Sequence, residues 1–257
     1  MRTVFIFLWV LSLHVWGEDL VLKDLFERYN LQGTMVIQSL NGSKEFVYNE
    51  QRATTSLLPA STFKILNTLI ALNENIIDNE TSVILWDKKD KGMPQWNHDQ
   101  TLKTAFQYSC VWCYQEFAQK IGLVKYQHYL KQLHYGNEQI SHNVTTFWLK
   151  GELKITAKEQ ISFLKKLYSN DLPFKRVHLD TLKSIMIEEE NELYTLRAKT
   201  GWATSEKPNH GWYVGYIQMP NDVWFFATNI ITKSALDLPL RKKITLEALN
   251  LLQSSKL

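Results

Sequence analysis

The chain is poor in the residues that announce metal or redox chemistry. Its 257 residues include only seven histidines, and no two stand in a His-x-His pair. A zinc-dependent hydrolase is therefore not expected, and no metal is assigned. Only two cysteines occur, Cys110 and Cys113. Two cysteines give no disulfide framework. Three residues apart on one expected helix, they read most simply as two small buried side chains. A Cys-x-x-Cys redox pair lacks the βαβ context that would support it, and whether the two pair stays open. The net charge is +3 with no arginine run or basic block, so nucleic acid is not an expected partner. There is no internal repeat and no low-complexity linker. Apolar residues make up 45 % of the chain, which excludes extensive disorder.

Long apolar runs are absent too, with one exception at the start. Val4 to Trp16 is apolar apart from a few small or polar residues, and Arg2 is the one charge before it. This run has secretory-signal length and is short for a membrane span. Val15 and Gly17 suit a cut before Glu18. The expectation is a removed signal peptide over residues 1–17 and a secreted, periplasmic protein of residues 18–257, with no membrane attachment after removal.

What is present reads as α+β. Leu20 to Tyr29 is a short amphipathic helix, and Gly33 to Leu40 is rich in β-formers. Asn41-Gly42-Ser43 is a hairpin turn returning through Glu45 to Tyr48. From Pro59 to about Leu182 the pattern is mostly helical. Ser61 to Asn73 is apolar on nearly every face, as in a helix buried within the protein. Thr101 to Tyr108, Val111 to Ile121 and Lys158 to Tyr168 are further helices. Strands return at Leu193 to Ala198, Trp212 to Met219 and Val223 to Ile230. A helix over Leu240 to Leu252 closes the chain. The expected domain is single: a sheet part from about 18–58 and 185–257, with a helical part at about 59–184 inserted between its halves.

Two motifs can carry chemistry. Ser61-Thr62-Phe63-Lys64 places a hydroxyl and an amine one helical turn apart on one face. A serine is a weak nucleophile until a base takes its proton, and a lysine is a base only if its ammonium is disfavoured, which burial achieves. Alone the motif is weak. About one Ser-x-x-Lys is expected by chance in a chain this long, and Ser162 to Lys165 is a second match that reads as a surface pair. Without other motifs Ser61 would be an ordinary helix-cap serine. The second motif is Lys199-Thr200-Gly201, at the end of an expected strand. It offers a cation, a hydroxyl and an open backbone edge for an extended acyl substrate. Serine β-lactamases and penicillin-binding proteins share this pairing of motifs.

Further elements narrow the family. Where class A enzymes carry Ser-Asp-Asn, this chain has Ser109-Cys110-Val111. It continues with Tyr135-Gly136-Asn137, then Trp148-Leu149, Lys199-Thr200-Gly201-Trp202 and Leu238-Pro239-Leu240-Arg241-Lys242. With Pro59-Ala60 ahead of Ser61, this order resembles the class D (oxacillinase-type) serine β-lactamases from about residue 30 to residue 250. The resemblance implies the β-lactamase/transpeptidase-like fold, a central antiparallel sheet flanked by terminal helices with an inserted all-helical subdomain. It implies hydrolysis of small β-lactam antibiotics by a monomer or homodimer, with no cofactor beyond the carbon dioxide that carboxylates Lys64.

In that family's pattern Ser61 is the nucleophile and Lys64, as N6-carboxylysine, the base. Ser109 and Lys199 handle the proton of the leaving nitrogen, and Trp148 offers its indole N–H to the carbamate. Val111 is an apolar wall. The amides of Ser61 and Trp202 form the oxyanion hole, and Thr200, Gly201 and Arg241 hold the drug's carboxylate and amide edge. Trp96 stands at the cleft mouth, and Leu149 gates water. Lys150 departs from the pattern, placing a positive charge where an acid is usual. A penicillin-binding sensor that never releases its product and a peptidoglycan transpeptidase remain the rival functions.

Overall fold

The computed structural model describes residues 19–254, so the expected signal peptide lies outside the described residues. The chain opens with helix α1 (Leu20–Arg28), whose Leu22, Leu25 and Phe26 are buried and whose first turn is capped by the Asp19 carboxylate. The hairpin β1 (Gly33–Ser39) and β2 (Glu45–Tyr48) follows as expected, turning through Gly42 at a φ of 72°. A short helix α2 (Glu50–Ala53) leads to a 3₁₀ turn, Ala60–Phe63, and then to α3 (Lys64–Asn73).

The middle of the chain holds the two-stranded β3 (Val83–Ile84) and β4 (Gln100–Thr101), then helices α4 (Leu102–Gln107), α5 (Val111–Ile121), α6 (Leu123–Leu133), α7 (Phe147–Lys150), α8 (Ala157–Ser169) and α9 (Arg176–Ile185). Strands β5 (Ile187–Glu190), β6 (Thr195–Ala203), β7 (His210–Met219) and β8 (Asp222–Ile231) then lead to the closing helix α10 (Leu238–Ser254).

Both ends of the chain build one antiparallel sheet in the order β2-β1-β8-β7-β6-β5. β7 and β8 are buried at eight of their ten positions each, which explains their nearly continuous apolar sequence: both faces are covered. One face packs on α1 and α10 through residues such as Phe26, Tyr213, Phe226 and Ile244. The other packs on the helical block through Val36, Trp212, Val214 and Phe225. At the centre of that block, α3 is buried at every position from Lys64 to Leu72.

One point the sequence leaves open is answered, and one reading needs correction. The two cysteines are buried as expected, and they pair, forming the disulfide Cys110–Cys113 at the start of α5. Cys110 is the residue that caps α5 and Cys113 lies in its first turn, a placement that brings their Cα atoms within 5.5 Å. Ser61 does not open an α-helix. It sits in the tighter 3₁₀ turn that follows Pro59, and α-helical bonding begins only at Lys64. Among the described residues, no helix is long and apolar enough to cross a membrane.

Candidate active site

The tight turn after Pro59 brings Lys64 back over Ser61, and the Lys64 amine nitrogen donates to the Ser61 hydroxyl oxygen at 3.0 Å. No part of Lys64 is exposed. Burial first, and the charge of Lys199 second, push its pKa well below the usual lysine value. The ring of Tyr114 on α5 lies 5.1 Å from the amine. A ring face favours an ammonium by about 0.5–2 kcal/mol, less than the several kcal/mol that desolvating an ion costs, so the ring does not reverse the downward shift.

Ser109 lies in the three-residue connection between α4 and α5, and it adopts a left-handed backbone with φ 54°. For a serine that conformation carries a strain of order 1–3 kcal/mol and persists only where the surroundings enforce it. The Ser109 hydroxyl accepts a short hydrogen bond from the Lys199 ammonium, which also donates to the Thr200 carbonyl at 3.2 Å. Lys199 is buried and lies 5.4 Å from the Phe106 ring. Burial, followed by the nearby Arg241 charge, brings its pKa down to about 7, against the pull of Glu188. Lys199 can therefore give or take a proton near neutrality, and its charge bears on Lys64, which joins the two serine–lysine pairs into one site.

β6 carries Lys199, Thr200 and Gly201 past the turn that holds Ser61. A Cβ on Gly201 would meet the Pro59 carbonyl oxygen at 2.9 Å and the Ser61 amide nitrogen at 3.3 Å, so only glycine lets the strand approach this closely. On its outer side β6 pairs with β5 only through Thr195, Leu196 and Arg197, followed by one further bond from the Ala198 amide to the Met186 carbonyl. From Lys199 to Ala203 that edge has no strand partner among the described residues, as strand addition by an extended substrate requires. Where β5 stops, a cavity of about 260 Å³ opens beside Lys199 and Thr200, walled by Phe106, Ile185, Met186 and Glu188. Arg241 reaches from α10 to donate to the Gly201 carbonyl at 2.7 Å. Burial lowers its pKa to about 10, so it remains a cation beside this edge.

Trp148 is completely buried and stacks on Phe63, the residue before Lys64, with ring centroids 5.7 Å apart. Its indole N–H has no hydrogen-bond partner. A buried donor left unpaired costs about 1–3 kcal/mol. Its neighbour Leu149 is half-buried, with its carbonyl accepting from the Ser205 hydroxyl at 2.6 Å. Val111 is half-buried at the first position of α5. Trp96 sits in a 3₁₀ turn, donates to the Tyr108 carbonyl at 2.9 Å and accepts from Trp112 at 3.1 Å, which fixes it beside Ser109. Trp202 is 39 % exposed and donates to the Thr232 hydroxyl at 3.2 Å.

Tyr135-Gly136-Asn137 lies outside this chemistry. A Cβ on Gly136 would fall 2.0 Å from the Lys154 carbonyl oxygen, and the Asn137 side chain bonds the Glu152 carbonyl and the Lys154 amide. The motif anchors the segment that follows α7.

Several participants escaped the sequence reading. Tyr114 and Phe106 line the two amines, but an aromatic ring in a helix gives the same pattern when it is only core. Glu188 accepts from Tyr213 at 2.8 Å and pairs with Lys242 at 2.5 Å, shaping the field at Arg241 and Lys199. The Leu58 carbonyl accepts from both His210 at 3.0 Å and Trp212 at 2.9 Å, pinning the approach to Ser61 onto β7.

Residues 30–250 match the family model for the penicillin-binding protein transpeptidase domain. The chain is similar to the β-lactamase OXA-48 of Klebsiella pneumoniae, at 42 % identity over 91 % of this chain and 88 % of that protein. It is equally similar to the β-lactamase OXA-20 of Pseudomonas aeruginosa, at 42 % identity over 86 % of this chain and 80 % of that one. Among solved structures it is similar to the class D β-lactamase YbXI from Nostoc, with a TM-score of 0.89 and 41 % identity over 92 % of this chain and 99 % of that one. It is also similar to the class D β-lactamase FUS-1 (OXA-85) from Fusobacterium nucleatum subsp. polymorphum, with a TM-score of 0.90 and 36 % identity over 92 % and 98 % of the two chains.

Proposed function

The chain belongs to the class D β-lactamases, and from that membership we propose that it hydrolyses β-lactam antibiotics through an acyl-enzyme on Ser61, with Lys64, carboxylated by carbon dioxide, as the base for acylation and deacylation.

Two observations carry the Lys64 part: its amine is fully buried, and the ring stacked on the preceding residue, Phe63, belongs to Trp148 with its orphaned indole donor. Only a neutral amine has the lone pair that bonds to carbon dioxide, and burial keeps Lys64 in that form. Trp148 has a donor and no acceptor capacity, which suits an anion and not an ammonium. The carbamate supplies an oxygen base that can accept the Ser61 proton and later the proton of a water.

The remaining work belongs to the chain's own side chains. The Ser61 oxygen attacks the lactam carbonyl, the carbonyl carbon–nitrogen bond breaks, and the ring nitrogen must gain a proton. Ser109, held by Lys199, is the relay, and Lys199 replaces the proton that Ser109 gives up. The amides of Ser61 and Trp202 stabilise the developing oxyanion. Thr200 and Arg241 bind the drug's carboxylate, and the β6 edge with Gly201 aligns its amide. Val111 and Trp96 shape the mouth, and Leu149 admits the hydrolytic water. Before the second half Lys199 regains, through Ser109, the proton that left Ser61, so the base is free again. The water oxygen then bonds to the acyl carbon, the ester bond to Ser61 breaks, and the proton taken from water goes to the departing Ser61 oxygen.

Secretion to the periplasm with loss of residues 1–17 belongs to the same proposal. It is supported by the apolar leader and by a disulfide of the kind that persists in oxidising compartments. Mass spectrometry during exposure to benzylpenicillin tests the reaction. A short-lived adduct on Ser61 is expected, and an adduct that lasts for hours would overturn the turnover reading in favour of a sensor.

A further inference from the structure

Resting on this reading of Ser109, we propose that the Cys110–Cys113 disulfide is a positioning element of the active site, holding the α4–α5 connection so that Ser109 stays against Lys199.

The bond links the residue directly after Ser109 to the first turn of α5. Both cysteines are completely buried. On the other side of Ser109 the chain is tied back to α4, by the Ser109 amide to the Phe106 carbonyl at 3.1 Å and the Cys110 amide to the Ala105 carbonyl at 2.8 Å. Ser109 is thus fixed on both sides while its backbone is left-handed, a conformation a serine leaves when its surroundings relax.

The same segment is held in a second direction. Trp96 donates to the Tyr108 carbonyl, and Trp112, which lies between the two cysteines, donates to the Trp96 carbonyl. The disulfide braces this circuit, and Cys113 immediately precedes Tyr114, whose ring borders the Lys64 amine. A cross-link that closes so short a loop restricts the unfolded chain little. Its effect therefore falls on local geometry more than on global stability. Cys110 also caps α5, its sulfur accepting from the Cys113 amide at 3.3 Å. A serine can replace that cap but not the covalent link.

Three forms of the full-length enzyme separate these roles: Cys110→Ala/Cys113→Ala, Cys110→Ser/Cys113→Ala, and wild type reduced by a phosphine. In the reduction the phosphine takes oxygen from water while its electron pair cleaves the S–S bond to two thiols. In each form, single-turnover acylation by benzylpenicillin should slow at least tenfold. KM should stay within threefold, the protein should remain folded, and the alkaline limb of the pH profile should move. Reoxidation should restore the wild type. Acylation within twofold of the oxidised enzyme, recovery in the serine-containing variant, or loss strictly in step with unfolding would each overturn the proposal. A crystal structure of the alanine pair reads Ser109 independently of the reaction: an unmoved backbone and an intact Lys199–Ser109 bond would overturn it even if the enzymatic reading failed.

Discussion

Gly201 and Ser61 approach until a methyl group on the first would lie 3.3 Å from the amide nitrogen of the second and 2.9 Å from the Pro59 carbonyl. β6 and the turn that holds Ser61 are therefore set against each other by the lack of a side chain. Gly201→Ala must push β6 away from the turn. We expect kcat/KM for benzylpenicillin to fall ten- to a hundredfold, about 1.4–2.7 kcal/mol of transition-state stabilisation. Steady-state kinetics check this, and an unchanged kcat/KM would mean that the contact does not set the oxyanion geometry.

Lys64 illustrates a conflict between stability and chemistry. Its folded pKa lies well below its unfolded value. Between the two, the unfolded chain holds a proton that the folded one does not, so stability rises with pH across that interval and is reduced at neutral pH. In carbonate-free buffer at pH 7, Lys64→Met should raise Tm while abolishing turnover. The gap in Tm should narrow as the pH is raised toward 10. Calorimetry over that range checks the sign; a variant that melts lower at pH 7 would show that the amine is not held against its preference. For the wild type, acid or carbonate-free buffer should lower turnover and bicarbonate should restore it.

Trp148→Phe removes the indole N–H but keeps a ring against Phe63 and Phe147. A hydrogen bond to a charged partner is worth about 1.5–3 kcal/mol. Deacylation should accordingly slow by about ten- to a hundredfold, acylation by less, and the Ser61 adduct should accumulate. Stopped-flow and mass spectrometry measure the two steps separately, and equal losses would reduce Trp148 to packing.

His210 is buried behind the nucleophile turn, and burial brings its pKa down to about 4. The unfolded chain takes up the histidine proton near pH 6.5 and the folded chain only near pH 4, so stability should fall as the pH drops from about 6.5 to 4. The loss from this group is about 3 kcal/mol at most. His210→Asn should flatten the dependence of unfolding free energy on pH in that window, while the Leu58 carbonyl keeps its bond from Trp212. Urea titrations at several pH values decide it; an unaltered slope would place the acid sensitivity elsewhere.

The sheet, the buried α3 and the order of the motifs were all legible, because alternating or continuous apolar patterns and Gly-containing turns are local properties. Ser61 and Lys64 were legible as a pair because helical spacing alone puts them on one face. The closeness of Ser109 and Lys199 followed only from the family resemblance, since no local pattern reports a contact between residues ninety positions apart. α6 carries the same local signal, with Tyr126, Tyr129, Leu130 and Leu133 repeating at helical intervals and all buried. The disulfide was not legible because a Cys-x-x-Cys spacing is equally compatible with separate thiols; the cap geometry of α5 decides it.

The bare stretch of β6 from Lys199 to Ala203 has a consequence beyond catalysis. A strand edge without a partner strand invites self-association between molecules, and most proteins blunt such edges with charge or proline; here Lys199 and Arg241 bring charge to the Thr200 and Gly201 carbonyls. The stretch is also short, and it lies against the turn that holds Pro59 and Ser61 on one side and beside the cavity walled by Phe106 and Glu188 on the other. A short edge hemmed by neighbouring elements is one of the ways proteins limit pairing between sheets.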